Sequence, residues 1–322
     1  LSHTSNLYYT EPAVKLAKLL CEKTDAKKVF FSNSGAEANE CAIKAARKYS
    51  FDKYGAGRFE IITLENSFHG RTMATITATG QSAFHKYFDQ FLEGFKYVPA
   101  NDFSALESAV SQKTCALMLE IVQCEGGVIV LDREYVKKAA ELCAQNNILL
   151  IIDEVQTGNG RTGTLYAYMQ YGICPDILTT AKGLGGGLPI GATLFYQKTQ
   201  GVLDYNSHGS TFGGNPVCCA GALSVVSRLN DRFLAEVAKK GEFLASELRK
   251  ISGVKEISGL GLIVGVATDK PAKDIAAKCL SRGLLVLTAK DKLRLLPALN
   301  ISYEDLSSGI KIISEALNET SA

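Results

Sequence analysis

Asn147-Ile-Leu-Leu-Ile-Ile-Asp153, followed further along by Ala181-Lys182-Gly-Leu-Gly-Gly-Gly187, decides how this chain is read. The unbroken apolar run from Ile148 to Ile152 has no polar alternation, the pattern of a strand buried on both faces in a parallel sheet. Asp153 then stands at the carboxyl end of that strand, where α/β folds collect their ligands. A carboxylate there is costly unless it meets a cation. Lys182 follows a second short run, Asp176 to Thr180, and precedes three glycines that let backbone approach a bound group closely. An aspartate for a pyridinium nitrogen and a lysine for covalent attachment are the two protein groups that pyridoxal phosphate (PLP) needs. A buried ion pair, or a solvated lysine, accounts for the two residues equally well at this point.

Working outward, short runs rich in Val and Ile alternate with stretches of helical period, which predicts βαβ units and an α/β fold with a mainly parallel sheet flanked by helices. Strands are predicted at Val29 to Phe31, Phe59 to Leu64, Cys115 to Val122, Ile148 to Asp153, Asp176 to Thr180 and Ile190 to Tyr196. Helices are predicted at Ala36 to Tyr49, Glu134 to Asn146, and from Asn215-Pro216 to near Asn230, where Asn as cap and Pro at the first helical position mark a start. Beyond residue 230 an amphipathic helix (Phe233 to Lys250) and short strands (Val254 to Ile257, Leu262 to Ala267) read as a smaller α+β domain. The expected division is a large domain over 1–229 and a smaller C-terminal domain over 230–322, joined through a helix rather than a flexible tether.

Composition narrows the function. The chain has 322 residues, 46% hydrophobic and 21% charged, as ordinary globular proteins do. Its mean hydropathy is +0.05. Thirty-five Lys and Arg against 33 Asp and Glu leave +2, with no broad basic face for nucleic acid or an anionic membrane. The nine cysteines are odd in number and form no C-x-x-C, so buried free thiols in a reducing cytoplasm are expected rather than disulfides or a metal site. Apolar runs fall short of the roughly 18 residues that span a bilayer. The first residues, Leu-Ser-His-Thr-Ser-Asn, show neither a secretory signal nor an initiator Met, which reads as a processed or truncated form.

Three further stretches could carry chemistry. In Asn33-Ser34-Gly35-Ala36-Glu37-Ala38-Asn39-Glu40, Ser34 and Glu37 have capping-box spacing, so a helix should start there with free N–H groups suited to a phosphate. A plain cap without ligand is the commoner outcome. In Asn66-Ser67-Phe68-His69-Gly70-Arg71-Thr72, Phe68 could stack on a flat heteroaromatic ring and Arg71 could grip a carboxylate; packing and a surface charge are the plainer reading. In His208-Gly-Ser-Thr-Phe-Gly-Gly-Asn-Pro216, Ser210 and Thr211 could offer donors to a second anion, or belong to an ordinary turn.

Taken in order, NSGAEANE, NSFHGRT, DEVQTGNGRTG (Asp153 to Gly163), PDILTTAKGLGGGLPIGA (Pro175 to Ala192) and HGSTFGGNP resemble the class III, fold-type I aminotransferases over nearly the whole chain. The resemblance reaches the C-terminal stretches Ser258 to Gly265 and Leu293 to Leu299. It implies that the large domain binds PLP, with Lys182 the lysine that carries it and Asp153 at the pyridine nitrogen. Val155 would pack on the ring, Gln156 would reach its 3-hydroxyl oxygen, and Phe68 would cover the other face, with Glu154 among the cofactor-binding positions. Gly35 and Ala36, with Ser34 as a weaker candidate, would cradle the phosphate. Thr211 would reach the phosphate of a neighbouring subunit, so the resemblance implies a homodimer with shared active sites. Arg71 and Ser210 look like the positions that grip the amino donor, and Arg294 like the one that grips the α-carboxylate of glutamate, with Glu125 as its partner.

The implied reaction passes a terminal amine from N-acetylornithine to 2-oxoglutarate. Alternatives are succinylornithine, ornithine or 4-aminobutyrate as donor, a related PLP isomerase, or a non-catalytic PLP-binding homologue. The chain departs from the family in two ways. Where the family has Glu-Pro-Ile-Gln-Gly-Glu-Gly-Gly, it reads Glu120-Ile-Val-Gln-Cys-Glu-Gly-Gly127, and it begins inside the family's pattern, without a segment that lines the substrate entrance.

Overall fold

The structure is a computed structural model and describes residues 2–319. In chain order, the first elements are α1 (Glu11–Thr24), β1 (Lys28–Ser32), α2 (Gly35–Tyr54), β2 (Glu60–Leu64), α3 (Met73–Ala78), β3 (Phe95–Val98), α4 (Phe103–Ala109) and β4 (Thr114–Leu119). Next come β5 (Val122–Gln123), β6 (Ile129–Val130), α5 (Arg133–Gln145), β7 (Leu149–Asp153), β8 (Ile177–Thr180), β9 (Gly191–Phe195) and α6 (Pro216–Arg228). The chain ends with α7 (Asp231–Arg249), β10 (Val254–Leu260), β11 (Ile263–Thr268), α8 (Ala272–Ser281), β12 (Leu287–Ala289), β13 (Lys292–Leu295) and α9 (Tyr303–Asn318).

Two units emerge. The first takes the chain up to Ile121 together with Leu131–Asn159 and Ala167–Leu229. Its seven-stranded sheet has the order β1-β9-β8-β7-β4-β2-β3. Strands β3, β2, β4, β7 and β8 pair in parallel, and β9 is antiparallel to both β8 and β1. It follows that β1 points the same way as β8, and the carboxyl ends of β1, β2, β4, β7 and β8 open on one edge of the sheet. Helix α2 lies on this sheet through Cys41, Ala42, Ala45 and Ala46, small residues that let it approach Ile61, Met118, Ile151 and Ile177. Each such fully buried Ile contributes about 1.5–3 kcal/mol. Close packing of α2 brings its first turn to the edge where those strands end.

The second unit comprises Val122–Val130, Gly160–Tyr166 and the chain from Asn230 onward. Its antiparallel sheet has the order β10-β11-β13-β12. The core gathers Val237, Leu244 and Leu248 of α7, Ile275 of α8 and Ile313 of α9 against Val264, Val266 and Leu293. Asn230 caps α7 by accepting the Phe233 N–H at 3.0 Å.

Two strands differ from the sequence reading. The run Cys115 to Val122 is not one strand: β4 ends at Leu119, and Val122 and Gln123 pair with Ile129 and Val130 in a separate hairpin. Glu120 stands at the break, and its carboxylate accepts the Phe68 N–H at 3.0 Å. The strand β3 went unread in the mixed Phe-Lys-Tyr-Val sequence, which lies at the sheet's edge and is only partly buried. In sequence, the change of unit falls between Leu229 and Asn230, between α6 and α7, and two inner segments, Val122–Val130 and Gly160–Tyr166, group with the later residues.

Candidate active site

The carboxyl edge of the first unit's sheet gathers the sequence motifs. Asp153 closes β7 and is 3% exposed. Its Oδ2 accepts from Asn39 Nδ2 at 2.7 Å and from His69 Nδ1 at 2.8 Å, and its Oδ1 accepts the Val155 N–H at 2.9 Å. Asn39 is held in turn by Thr179, whose hydroxyl donates to Asn39 Oδ1 at 2.6 Å, and by its own bond to the His69 carbonyl at 2.7 Å. A carboxylate with this many donors is fixed in one orientation, with no direct ion pair to lysine.

Beside it, α2 starts on Ser34, whose hydroxyl accepts the Glu37 N–H at 3.2 Å. The return half of the expected capping box is displaced by one residue, since Glu37 takes the N–H of Asn33 at 2.5 Å rather than that of Ser34. Gly35 and Ala36 are in the first turn, where N–H groups have no partner within the helix. Gly35 also lies against Val155: a Cβ there would sit 2.6 Å from Val155 Cγ1, well inside contact distance. Thus the phosphate motif and Val155, two residues after Asp153, touch.

Lys182 follows β8 with φ +45°, a left-handed conformation that costs a non-glycine residue of order 1–3 kcal/mol and marks sites held for function. Its side chain is exposed, and no hydrogen bond or ion pair holds its amine among the described residues. The ammonium acts through space on Glu120, which is fully buried near His69 and Asp153. Burial is the main force that pushes the Glu120 carboxyl up to about 8, with Asp153 adding to it, while His69, the Phe68 N–H and Lys182 oppose.

Phe68 is half-buried and packs edge-on against Phe84 at 5.2 Å, and the Arg71 guanidinium sits 5.8 Å from the Phe68 ring centre and 5.7 Å from that of Phe84. Gln156 is partly buried, three residues past the end of β7. Ser210 and Thr211 occupy the loop before α6. The Ser210 hydroxyl accepts from the Gly213 N–H and from Asn33 Nδ2, both at 3.1 Å, so it ties the loop to the end of β1; Thr211 is exposed. Glu154 follows Asp153 directly and is fully buried. Its carboxylate accepts from the Thr157 hydroxyl at 2.5 Å and the Tyr168 N–H at 2.8 Å, a tie within the following loop rather than a group turned to a ring. Burial raises the Glu154 carboxyl to about 7 against those bonds.

In the second unit, Arg294 on β13 is 7% exposed and its Nη1 meets Glu125 Oε1 at 2.6 Å and the Cys124 carbonyl at 3.3 Å. The altered loop therefore keeps its acid and uses a main-chain oxygen as well. Val128 at its end has φ +53°, a genuine outlier for a β-branched residue, and packs against Gly265 of β11 where any Cβ would lie 2.7 Å from its own.

Asn39, His69, Glu120 and Thr179 were not singled out in the sequence. Asn39 had a readable signal, since it stands four residues after Gly35 and so on the same helix face. Glu120 and Thr179 had none, because each sits in an apolar run that looks like plain strand. Among the described residues no group of three or more His, Cys, Asp or Glu is placed to hold a metal ion. None of the nine cysteines is in a disulfide, and no described helix is long and apolar enough to cross a membrane.

The family model for class-III aminotransferases matches residues 1–317, and the chain belongs to that family. It is a PLP-dependent transaminase. It is 53% identical over 322 residues to an acetylornithine aminotransferase of Haemophilus ducreyi, covering 99% of this chain and 82% of that protein. A succinylornithine transaminase of Photorhabdus laumondii is 44% identical over 325 residues, covering 98% and 81%. The fold matches an ornithine aminotransferase of Toxoplasma gondii with partial occupancy of PLP at its active site: TM-score 0.93, 32% identity, 98% of this chain and 78% of that one.

The residues present fit PLP. An anchored carboxylate, an unengaged lysine amine and a helix start with free N–H groups suit a pyridine nitrogen, an aldehyde and a phosphate respectively, and Gly35 lets Val155 lie close beside them.

Proposed function

We propose that the chain transfers the terminal amine of N-acetylornithine to 2-oxoglutarate, giving N-acetylglutamate 5-semialdehyde and glutamate, a step of arginine biosynthesis in the cytoplasm. The observation that carries this reading is the Arg294–Glu125 pair at 2.6 Å. Glutamate brings two carboxylates, whereas an ω-amine donor presents the end remote from its carboxylate. A guanidinium suits the extra carboxylate of glutamate but would be a buried unpaired charge with the other donor. Glu125 covers it in that case and releases it when glutamate arrives. The identity to acetylornithine aminotransferases over nearly the full chain supports the choice of donor.

Bound PLP supplies a conjugated ring that takes up the electron pair released at the amine-bearing carbon. Lys182 would anchor the cofactor through Nζ, and its free amine would hold and return a proton at Nζ, base chemistry by a group kept within reach. Asp153 Oδ1 orients the ring nitrogen and favours its protonated form. The Gly35 and Ala36 N–H groups, with the Ser34 hydroxyl, hold the phosphate and so fix the ring. Val155 and Phe68 line its faces, Gln156 meets its hydroxyl oxygen, and Arg71 and Ser210 hold the donor. Thr211 reaches the phosphate of a neighbouring copy, making each site the work of a homodimer. The exposed side chains of Leu7, Tyr8, Tyr9 and Phe212 support such an interface.

A screen of half-reactions tests the donor. The PLP form mixed separately with N-acetylornithine, succinylornithine, ornithine and 4-aminobutyrate should lose its visible band fastest with N-acetylornithine. Faster loss with succinylornithine would move the assignment to that donor.

The switch has its own test. Glu125→Gln removes the cover and should slow the acetylornithine half-reaction more than the glutamate one. Arg294→Lys loses the forked grip and should do the reverse. The gap between halves should be about tenfold or more in each variant, the difference expected of a charged hydrogen bond. Equal slowing of both halves in both variants would make the pair structural only.

A further inference from the structure

The arrangement around Asp153 contains a group the reaction scheme does not use. His69 is wholly buried, with its Nδ1 2.8 Å from Asp153 Oδ2 and its Nε2 without a hydrogen-bond partner among the described residues. Its main chain is pinned on both sides: the N–H donates to Thr79 Oγ1 at 2.9 Å and the carbonyl accepts from Asn39 at 2.7 Å. Gly70 follows at φ +138°, where a Cβ would lie 2.5 Å from Thr75 Oγ1, so the turn after His69 admits no side chain. Such anchoring is far more than a packing histidine needs.

We propose that His69 is a positioning residue for the cofactor's ring nitrogen: its Nδ1–H, with Asn39, fixes Oδ2 of Asp153 and leaves Oδ1 as the oxygen presented to the ring. The inference rests on Asp153 as the partner of that nitrogen. Each oxygen then has a distinct duty. Oδ2 accepts two side-chain donors, while Oδ1 accepts one main-chain N–H and keeps a lone pair for a further donor. Because an ionised carboxylate only accepts, Nδ1 must carry the hydrogen, and any second proton on the ring resides at the unpartnered Nε2.

The charged groups facing the ring come from two strand ends. Asp153 at the end of β7 and Glu120 after β4 both act on it, and Lys182 acts on Glu120. Burial pushes the imidazolium down, yet the bond to Asp153 and the charges of Asp153 and Glu120 outweigh it, and the ring's affinity for its proton rises. An imidazolium beside Asp153 would weaken that carboxylate's hold on a pyridinium, so ionisation of His69 tunes the same contact that it positions.

The test exploits the small number of histidines, four in the chain, at positions 3, 69, 85 and 208. In ¹⁵N-labelled protein, with and without PLP, one downfield, exchange-protected ring N–H should report a proton on Nδ1 of His69, and it should vanish in His69→Asn. Asn places an amide donor where Nδ1 was but carries no charge, whereas Gln places its amide near Nε2 and Leu supplies no donor. The dissociation constant for PLP should therefore rise about 10- to 100-fold in His69→Leu and His69→Gln and stay within about threefold in His69→Asn. The pH midpoint of the visible band of the bound cofactor should shift in all three, since each removes the titrating ring.

Wild-type PLP affinity and an unmoved midpoint in the Leu or Gln variant, or a wild-type ring with Nδ1 unprotonated, would overturn the proposal. If His69→Leu does not fold, the Asn and Gln pair and the wild-type spectrum decide. Asp153→Asn separates the two levels. If it leaves PLP affinity unchanged, the placement of Asp153 at the ring nitrogen fails; if it weakens binding while the His69 variants do not, only the role of His69 fails.

Discussion

Lys182→Ala should abolish amino transfer, with a loss of at least about 10⁴-fold, because one amine both anchors the cofactor and carries the proton. Stability should hardly change. The side chain is exposed, it makes no hydrogen bond or ion pair among the described residues, and the left-handed backbone at φ +45° is as awkward for Ala as for Lys. Thermal unfolding with the activity assay separates the two effects: a protein that unfolds early would point to a structural lysine. The same variant probes the shared site. Mixed with Thr211→Ala chains, it should form hybrids in which one site lacks both groups and the other lacks neither, and part of the activity should return. No recovery despite proven exchange of subunits would count against Thr211 reaching across.

Asp153 should give the second large effect, and here fold and function fall together. Asp153→Ala leaves the Asn39 amide and the His69 imidazole as buried donors without an acceptor and opens a gap at the end of β7, so a loss of about 3–5 kcal/mol is expected. Asp153→Asn keeps the shape and one acceptor oxygen for those donors but removes the charge. It should fold with a smaller loss while amino transfer drops about 10²–10³-fold, the scale of one preorganised electrostatic contact. Unfolding in denaturant and single-turnover rates measure the two quantities independently. An Asn variant with full activity would show that the ring nitrogen needs no carboxylate here.

How much of this was legible in the sequence depended on the kind of signal. The central strand carrying Asp153 was readable because burial on both faces leaves an uninterrupted apolar run, and the start of α6 because Asn215 and Pro216 are local signals; Asn215 does accept the Cys218 N–H, at 2.9 Å. The break after Leu119 was not readable, because Ile121 and Val122 continue the apolar pattern while the chain changes direction at a buried Glu. For the same reason the role of the hairpin β5–β6 in the second unit escaped the sequence: membership there is a matter of long-range pairing, which no local pattern encodes. At the site, residues whose chemistry is distinctive, Lys182 and Asp153, stood out at once. Asn39 and His69 did not, although both lie inside quoted motifs, since their importance comes from meeting Asp153 across 114 and 84 residues of chain. Glu154 illustrates a different kind of signal. Its neighbour's role suggested a ligand contact, and the structure turns its carboxylate into the loop that follows.

Borohydride reduction of the PLP-loaded protein, followed by digestion and mapping of the labelled peptide, tests the central claim most directly. The account predicts one label, on Lys182 in the peptide containing Ala181-Lys182-Gly183, released from labelling when N-acetylornithine is added before the reductant. A label on any other lysine, or one on Lys182 that the donor cannot prevent, would contradict it.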